Sequence, residues 1–255
     1  MVDYNGRLSS VYAAGRRMTA DDVRRWTAAF QAYLPEERPL AILDLGSGTG
    51  RLTPGLADTF GGPVYGVEPS DRMREIAEDT AAHPGATYLR GSAEEIPLPD
   101  ASVDGVLMFL SFHHFRDQRK ALEEVRRVLK PGGAAFLRSQ FADLMPDLFW
   151  YSYFPSAREV DASMYLELHQ AKELAEAAGL QPGEGPVWVS TEQPRTLREA
   201  SERLAHRALS TFEHLSEEEI EHGFTQLAAD AAREPDKLMP VYPAAMLVLR
   251  CPSAR

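Results

Sequence analysis

Ala41-Ile42-Leu43-Asp44-Leu45-Gly46-Ser47-Gly48-Thr49-Gly50 is the stretch that decides the fold. An apolar run, an acid and three alternating glycines read as a buried strand that breaks into a tight turn. Glycine at alternate positions removes the Cβ atoms that would keep a ligand away from the turn backbone. A strand, a glycine turn and a helix in this order are where doubly wound α/β folds bind a nucleotide-like cofactor. A second apolar strand, Val64-Tyr65-Gly66-Val67-Glu68, closes on another acid. A carboxylate in that position can accept both hydroxyls of a ribose.

Glycine spacing narrows the cofactor. The dinucleotide fingerprint needs a third glycine at the sixth position of the motif, for close helix–strand packing. Counted from Gly46, that position is Arg51. The nicotinamide and flavin pattern therefore fails. The phosphate-cradling loop fails too, because no Gly-Lys-Ser/Thr follows. Three further segments come in order: Gly91-Ser92-Ala93-Glu94-Glu95-Ile96-Pro97-Leu98-Pro99, Asp104-Gly105-Val106-Leu107-Met108, and Arg127-Val128-Leu129-Lys130-Pro131-Gly132-Gly133.

Together with Asp44 and Glu68, these motifs resemble the class I (Rossmann-like) methyltransferases that depend on S-adenosylmethionine (SAM). Within that class the set is similar to the ubiquinone/menaquinone-biosynthesis type of small-molecule methyltransferase, over roughly residues 40–179. The resemblance implies an α/β fold with a seven-stranded, mostly parallel sheet and helices on both faces. It implies SAM as cofactor, S-adenosylhomocysteine (SAH) as product, and no metal. Asp44, Gly46, Ser47, Gly48 and Gly50 would hold the methionine part, and Glu68 the ribose, with Pro69, Met73 and Phe109 beside them. Ser92, Ala93 and Glu94 would line the adenine. Many relatives have Asp where this chain has Ser92, so Ala93 N–H or Glu94 is the alternative adenine contact.

Composition sets bounds. At 255 residues the chain suits one α/β domain with an elaboration. Its net charge of −11 and pI near 5.2 argue against a nucleic-acid partner, which calls for a basic stripe. One cysteine, Cys251, excludes an internal disulfide and a cysteine-rich metal site. No apolar run has signal-peptide or membrane-spanning length. The expectation is a cytoplasmic protein, monomeric or homodimeric, acting on a small-molecule acceptor away from membranes.

The order of elements follows from caps and periodicity. Thr19-Ala20-Asp21-Asp22 resembles a capping box ahead of Val23, Trp26, Phe30 and Leu34 at helical spacing. Ser70 caps the helix after Glu68. Residues 164–178 read as a helix ended by Gly179. Thr196-x-x-Glu199 and Ser216-x-x-Glu219 are capping boxes. Leu197, Leu204, Phe212 and Leu215 fit one apolar stripe, and Ile220, Phe224, Leu227 and Ala231 another. The layout is a single domain: a helical N-terminal cover (1–39), a Rossmann-like core (40–192) with an aromatic loop (141–161), a helical insertion (193–240), and a last strand with its tail (241–255).

The chemistry of methyl transfer from a sulfonium needs a nucleophile held in line at near-attack distance and shielded from water. A base helps when the nucleophile must lose a proton. His113 and His114 are the candidates, since histidine titrates near neutrality and the pair follows the fourth strand. The competing reading is that the pair pins its loop. Phe149, Trp150 and Tyr153 are candidates for an aromatic acceptor wall, against ordinary core packing. Tyr12 and Arg16 stand in a segment that folds over the cofactor in relatives, against a solvated terminus. Arg203 and Arg207, one turn apart, either bind an acidic group or form a solvated face with Glu199 and Glu202. An oxidoreductase and a non-catalytic SAM-binding protein are the two rival functions.

Overall fold

The computed structural model describes residues 18–190 and 194–253. Helix α1 (Ala20–Gln31) opens on a capping box in which Thr19 and Asp22 satisfy each other's backbone N–H. Then come β1 (Leu40–Leu45), α2 (Thr53–Phe60), β2 (Gly61–Glu68), α3 (Asp71–Thr80), β3 (Ala86–Arg90), β4 (Val103–Phe109), α4 (Gln118–Val128) and β5 (Leu129–Arg138). After β5 the chain makes two helices, α5 (Ala157–Met164) and α6 (Leu168–Ala177). Two short strands follow, β6 (Gln181–Pro182) and β7 (Val187–Val189). Two more helices, α7 (Leu197–Ala205) and α8 (Glu217–Arg233), precede β8 (Ala244–Arg250).

The sheet runs β3-β2-β1-β4-β5-β8-β6, with β7 also on β8. β1 to β5 are parallel, and β8 is antiparallel to β5. Among the described residues it has eight strands, where seven were expected. Both β6 and β7 pair with β8, Pro182 opposite Leu249 and Val187 opposite Met246. They share one edge place, interrupted by Gly183-Glu184-Gly185-Pro186. Proline gives no ladder N–H and glycine has no side chain to pack, so the edge breaks in two.

Side chains alternate along each strand and feed two cores. Leu43 and Leu45 of β1 join Val125 and Ala171 on one face. Leu40 and Ile42 join Trp26, Phe30 and Phe60 on the other. A third apolar cluster lies off the sheet: Trp150, Tyr151, Phe154 and Phe212 with Ile220 of α8. There the segment after β5 and the helices before β8 fold together into a cap. Gly223 lets α8 come close, since a Cβ on it would stand 2.4 Å from the Phe154 ring and 2.5 Å from the Tyr153 carbonyl. No helix among the described residues is long and apolar enough to cross a membrane.

Three local expectations change. The helix read over 164–178 starts at Leu168, because Met164 ends α5 and Glu167 forms its own capping box with Gln170. Phe212 stands in a 3-10 turn (Ser210–Glu213), not in a helical stripe with Leu197. Ser216 does cap α8, but Glu219 reaches across to the Ser156 N–H at 2.8 Å, tying α8 to α5.

Candidate active site

A cavity of about 1370 Å³, bounded by described residues, opens where β1, β2 and β4 end. β1 lies between β2 and β4, so strand order reverses there, and open α/β sheets bind ligands at such switch points. The floor is the β1–α2 turn. Gly46 takes φ +73°, and a Cβ on it would lie 2.5 Å from the Ser111 Cβ. The Ser111 hydroxyl in turn donates to Leu45 O at 2.8 Å, pinning the β4 loop to the turn. The Ser47 hydroxyl is buried without a hydrogen-bond partner among the described residues.

Glu68 joins the pieces. Its carboxylate is 8 % exposed and accepts the Gly48 N–H at 3.0 Å and the Ser70 N–H at 2.9 Å. Burial pushes its carboxyl up, against the lowering effect of those two N–H groups and of Arg74. Asp44, below the turn, accepts from the Thr53 hydroxyl at 2.8 Å. Burial pushes its carboxyl up to about 6, opposed by Thr53 and by the Arg51 charge. Arg51 lines the cavity and lies 5.2 Å over the Phe109 ring.

The second wall is the loop after β3. Ser92, Ala93 and Glu94 all line the cavity. Glu94 Oε1 accepts the N–H of Arg116 at 2.7 Å and of Asp117 at 3.2 Å, fastening this loop to the start of α4. The third wall is the 3-10 turn Phe112–His114, where the His113 and His114 rings are 3.8 Å apart. Tyr165 also packs against His113, at 4.6 Å between ring centroids. Ser163 and Met164 of α5 and His214 of the cap complete the lining.

A family model described as a methyltransferase domain matches residues 43–137, which hold the glycine turn, Glu68 and the histidine turn. Over this region the chain is similar to the class I SAM-dependent methyltransferases. An uncharacterized methyltransferase of Mycobacterium tuberculosis is 47% identical over 92 residues, 36% of each chain. The match thus spans about a third of that relative's length. The ubiquinone/menaquinone biosynthesis C-methyltransferase of Acidiphilium cryptum is 29% identical over 73% of this chain and 76% of its own. A solved structure from Anabaena variabilis, described as a candidate methyltransferase of an antibiotic biosynthesis pathway, superposes with a TM-score of 0.73. It is 26% identical and covers 89% of this chain and 96% of its own.

Asp44, Gly46, Ser47, Gly48, Glu68, Pro69, Met73, Ser92, Ala93, Glu94, Phe109, His113 and His114 meet at one cavity. Gly50 stands a step behind it, where a Cβ would meet the Tyr88 hydroxyl. The aromatic wall is corrected: Phe149, Trp150 and Tyr153 do not line the cavity. They pack into the cap with Phe154, Phe212 and Phe224, and the Tyr153 hydroxyl is held by Asp230 at 3.0 Å. An aromatic run after the fifth strand here builds the core of the cap. Tyr12 and Arg16 lie outside the described residues. Arg207 pairs with Glu217 at 2.8 Å, while Arg203 lines a separate cavity with His206, Glu199 and Glu202. The arginines therefore do not form one anion site. Sequence reasoning missed Arg51, Ser111, Ser163, Met164 and His214. The first two stand beside residues already singled out, Arg51 directly after Gly50 and Ser111 two before His113, whereas nothing in the local pattern marks His214. Among the described residues no group of three or more His, Cys, Asp or Glu side chains could hold a metal ion.

Proposed function

We propose that this protein transfers a methyl group from SAM to a small-molecule acceptor, in the cytoplasm and within specialised metabolism. The observation that carries the reading is Glu68: a buried carboxylate that also holds the N–H of the glycine turn. A ligand whose diol hydroxyls donate to a carboxylate beside an open backbone cradle fits this set of groups. The buried Ser47 hydroxyl adds an unused polar atom at the same turn. The cavity exceeds the roughly 300–1,000 Å³ that holds one drug-sized ligand, which supports room for an acceptor beside the cofactor.

Asp44 and the Gly46–Gly48 turn would hold the methionine part, Glu68 the ribose, and Ser92 to Glu94 the adenine. Bound there, SAM supplies a methyl group already activated by its sulfonium. The chain's own residues then have three tasks: orienting the acceptor, excluding water, and taking up its proton. His113 is assigned the last task, because it lines the cavity and its ring packs against both His114 and Tyr165. The Anabaena candidate's pathway and the C-methyltransferase relative support a small-molecule acceptor.

Calorimetry is expected to show SAM and SAH binding and no binding of nicotinamide dinucleotides; the reverse pattern would overturn the reading. Labelled SAM with a panel of phenols, amines, carboxylates and isoprenoids then tests turnover. Glu68→Ala is expected to weaken SAH by about 1.5–3 kcal/mol, the range for a hydrogen bond to a charged group. The substitution also leaves the Gly48 and Ser70 N–H groups without their acceptor. An unchanged SAH affinity in the folded variant would remove Glu68 from the site.

A further inference from the structure

The two histidine-bearing turns at the cavity are joined through one helix. Asp161 of α5 is 2 % exposed. Its carboxylate accepts from the Thr211 hydroxyl at 2.6 Å and from the Tyr151 hydroxyl at 2.8 Å. Thr211 continues the link, since its carbonyl accepts the His214 N–H at 3.0 Å. Just beyond Asp161 on the chain, Ser163 and Met164 line the cavity, and Tyr165 packs on the His113 ring. A buried carboxylate with hydroxyl donors on both oxygens holds geometry well, because any partner lost would leave a desolvated charge.

The charge pattern adds the chemistry. The carboxylates lining the cavity come from β1, from the end of β2 and from the loop after β3. The wall made by the 3-10 turn Phe112–His114, α5 and His214 contributes imidazoles and no carboxylate. Imidazole donates to an oxygen anion or accepts from an acidic hydroxyl, and it opposes an ammonium when protonated.

Resting on the methyltransferase reading, we propose that His214 contacts the acceptor, that Asp161 is its positioning residue, and that the acceptor presents an acidic oxygen to this wall. The acidic oxygen is a carboxylate or a phenolic hydroxyl, and the probes separate the two.

The test uses the full chain loaded with SAH, probed by benzoate, phenol and benzylamine in ligand-observed NMR at millimolar concentration. Benzoate or phenol is expected to bind and benzylamine not. His214→Ala is expected to weaken that binding about tenfold or more. Asp161→Asn and Thr211→Val should weaken it in the same direction, and Thr211→Ser, which keeps the hydroxyl, should restore it. SAH affinity should stay level across all four variants, which a general loss of folding would not allow. Preference for benzylamine, no binding of either oxygen probe, or undiminished binding in His214→Ala overturns the proposal. Failure of the parent protein to bind SAH would instead overturn the methyltransferase reading beneath it. Should Asp161→Asn fail to fold, the Thr211→Val and Thr211→Ser pair decides the positioning role alone.

Discussion

Gln in place of His113 is expected to leave SAH affinity unchanged and to lower turnover roughly 10²–10⁴-fold, the usual contribution of a positioned base. Glutamine keeps a planar polar group against Tyr165 and His114, so the packing loss is small. The loss should shrink at high pH, where an acidic acceptor ionises by itself. Gln at His114 should cost less, because both rings line the cavity but only His113 also packs against Tyr165. Single-turnover measurement with an acceptor found in the labelled-SAM panel separates chemistry from release. Near-normal turnover in both single variants and in the double variant would rule out a base at His113 or His114. It would leave proximity or His214 as the source of the rate. A fall in stability with little pH dependence would make the pair a brace for its loop.

Asp44→Asn is expected to stabilise the SAH-free protein at neutral pH while impairing cofactor binding. Burial raises this carboxyl from its ordinary 3.8 to about 6 in the folded chain. Below the ordinary value the group is protonated in both states and burial of the charge costs nothing. As pH rises toward 6 the unfolded chain ionises first, so the folded state loses relative stability. Above about 6 the penalty is constant, and at 1.36 kcal/mol per unit it comes to about 3 kcal/mol. Asparagine carries no such penalty. Urea unfolding should therefore show the variant ahead of the parent near pH 7.5, with the gap closing toward about pH 4. A difference that does not vary with pH would mean that the buried charge is not its origin. The same charge that burdens the free protein suits it to hold a cationic part of a ligand, a trade of stability for function familiar at binding sites.

What could be read in advance follows a physical divide. Gly46 and Gly48 were legible because a tight turn at positive φ admits few residue types, and Asp44 and Glu68 because an acid closing an apolar strand stands out from its neighbours. Helix starts at Thr19, Ser70 and Thr196 were legible for a similar reason: each cap is a local bargain between neighbours. The cap was not. Phe149, Trp150 and Tyr153 carry the same apolar signal whether they face a ligand or one another, and only the long-range packing of Phe212 and Phe224 decides. His214 reaches the cavity through Asp161, 53 residues earlier in the chain, and no periodicity records such a link. The split of the seventh strand place was foreshadowed by Gly183 and Pro186 but needed β8 to reveal it.

The separate apolar cluster of the cap has a consequence for how the molecule loosens. Trp150, Phe154, Phe212 and Ile220 bury one another with little help from the sheet. A unit with its own core can open as one cooperative foldon while its neighbours stay closed. Hydrogen exchange in mild denaturant should then find the amides of 149–164 and 210–231 released together, at a lower free energy than those of β1, β4 and β5. During such an opening His214 and Met164 would leave the cavity as a group, and the glycine turn would remain folded around Glu68. Evolution could in the same way remodel one unit without retuning the other.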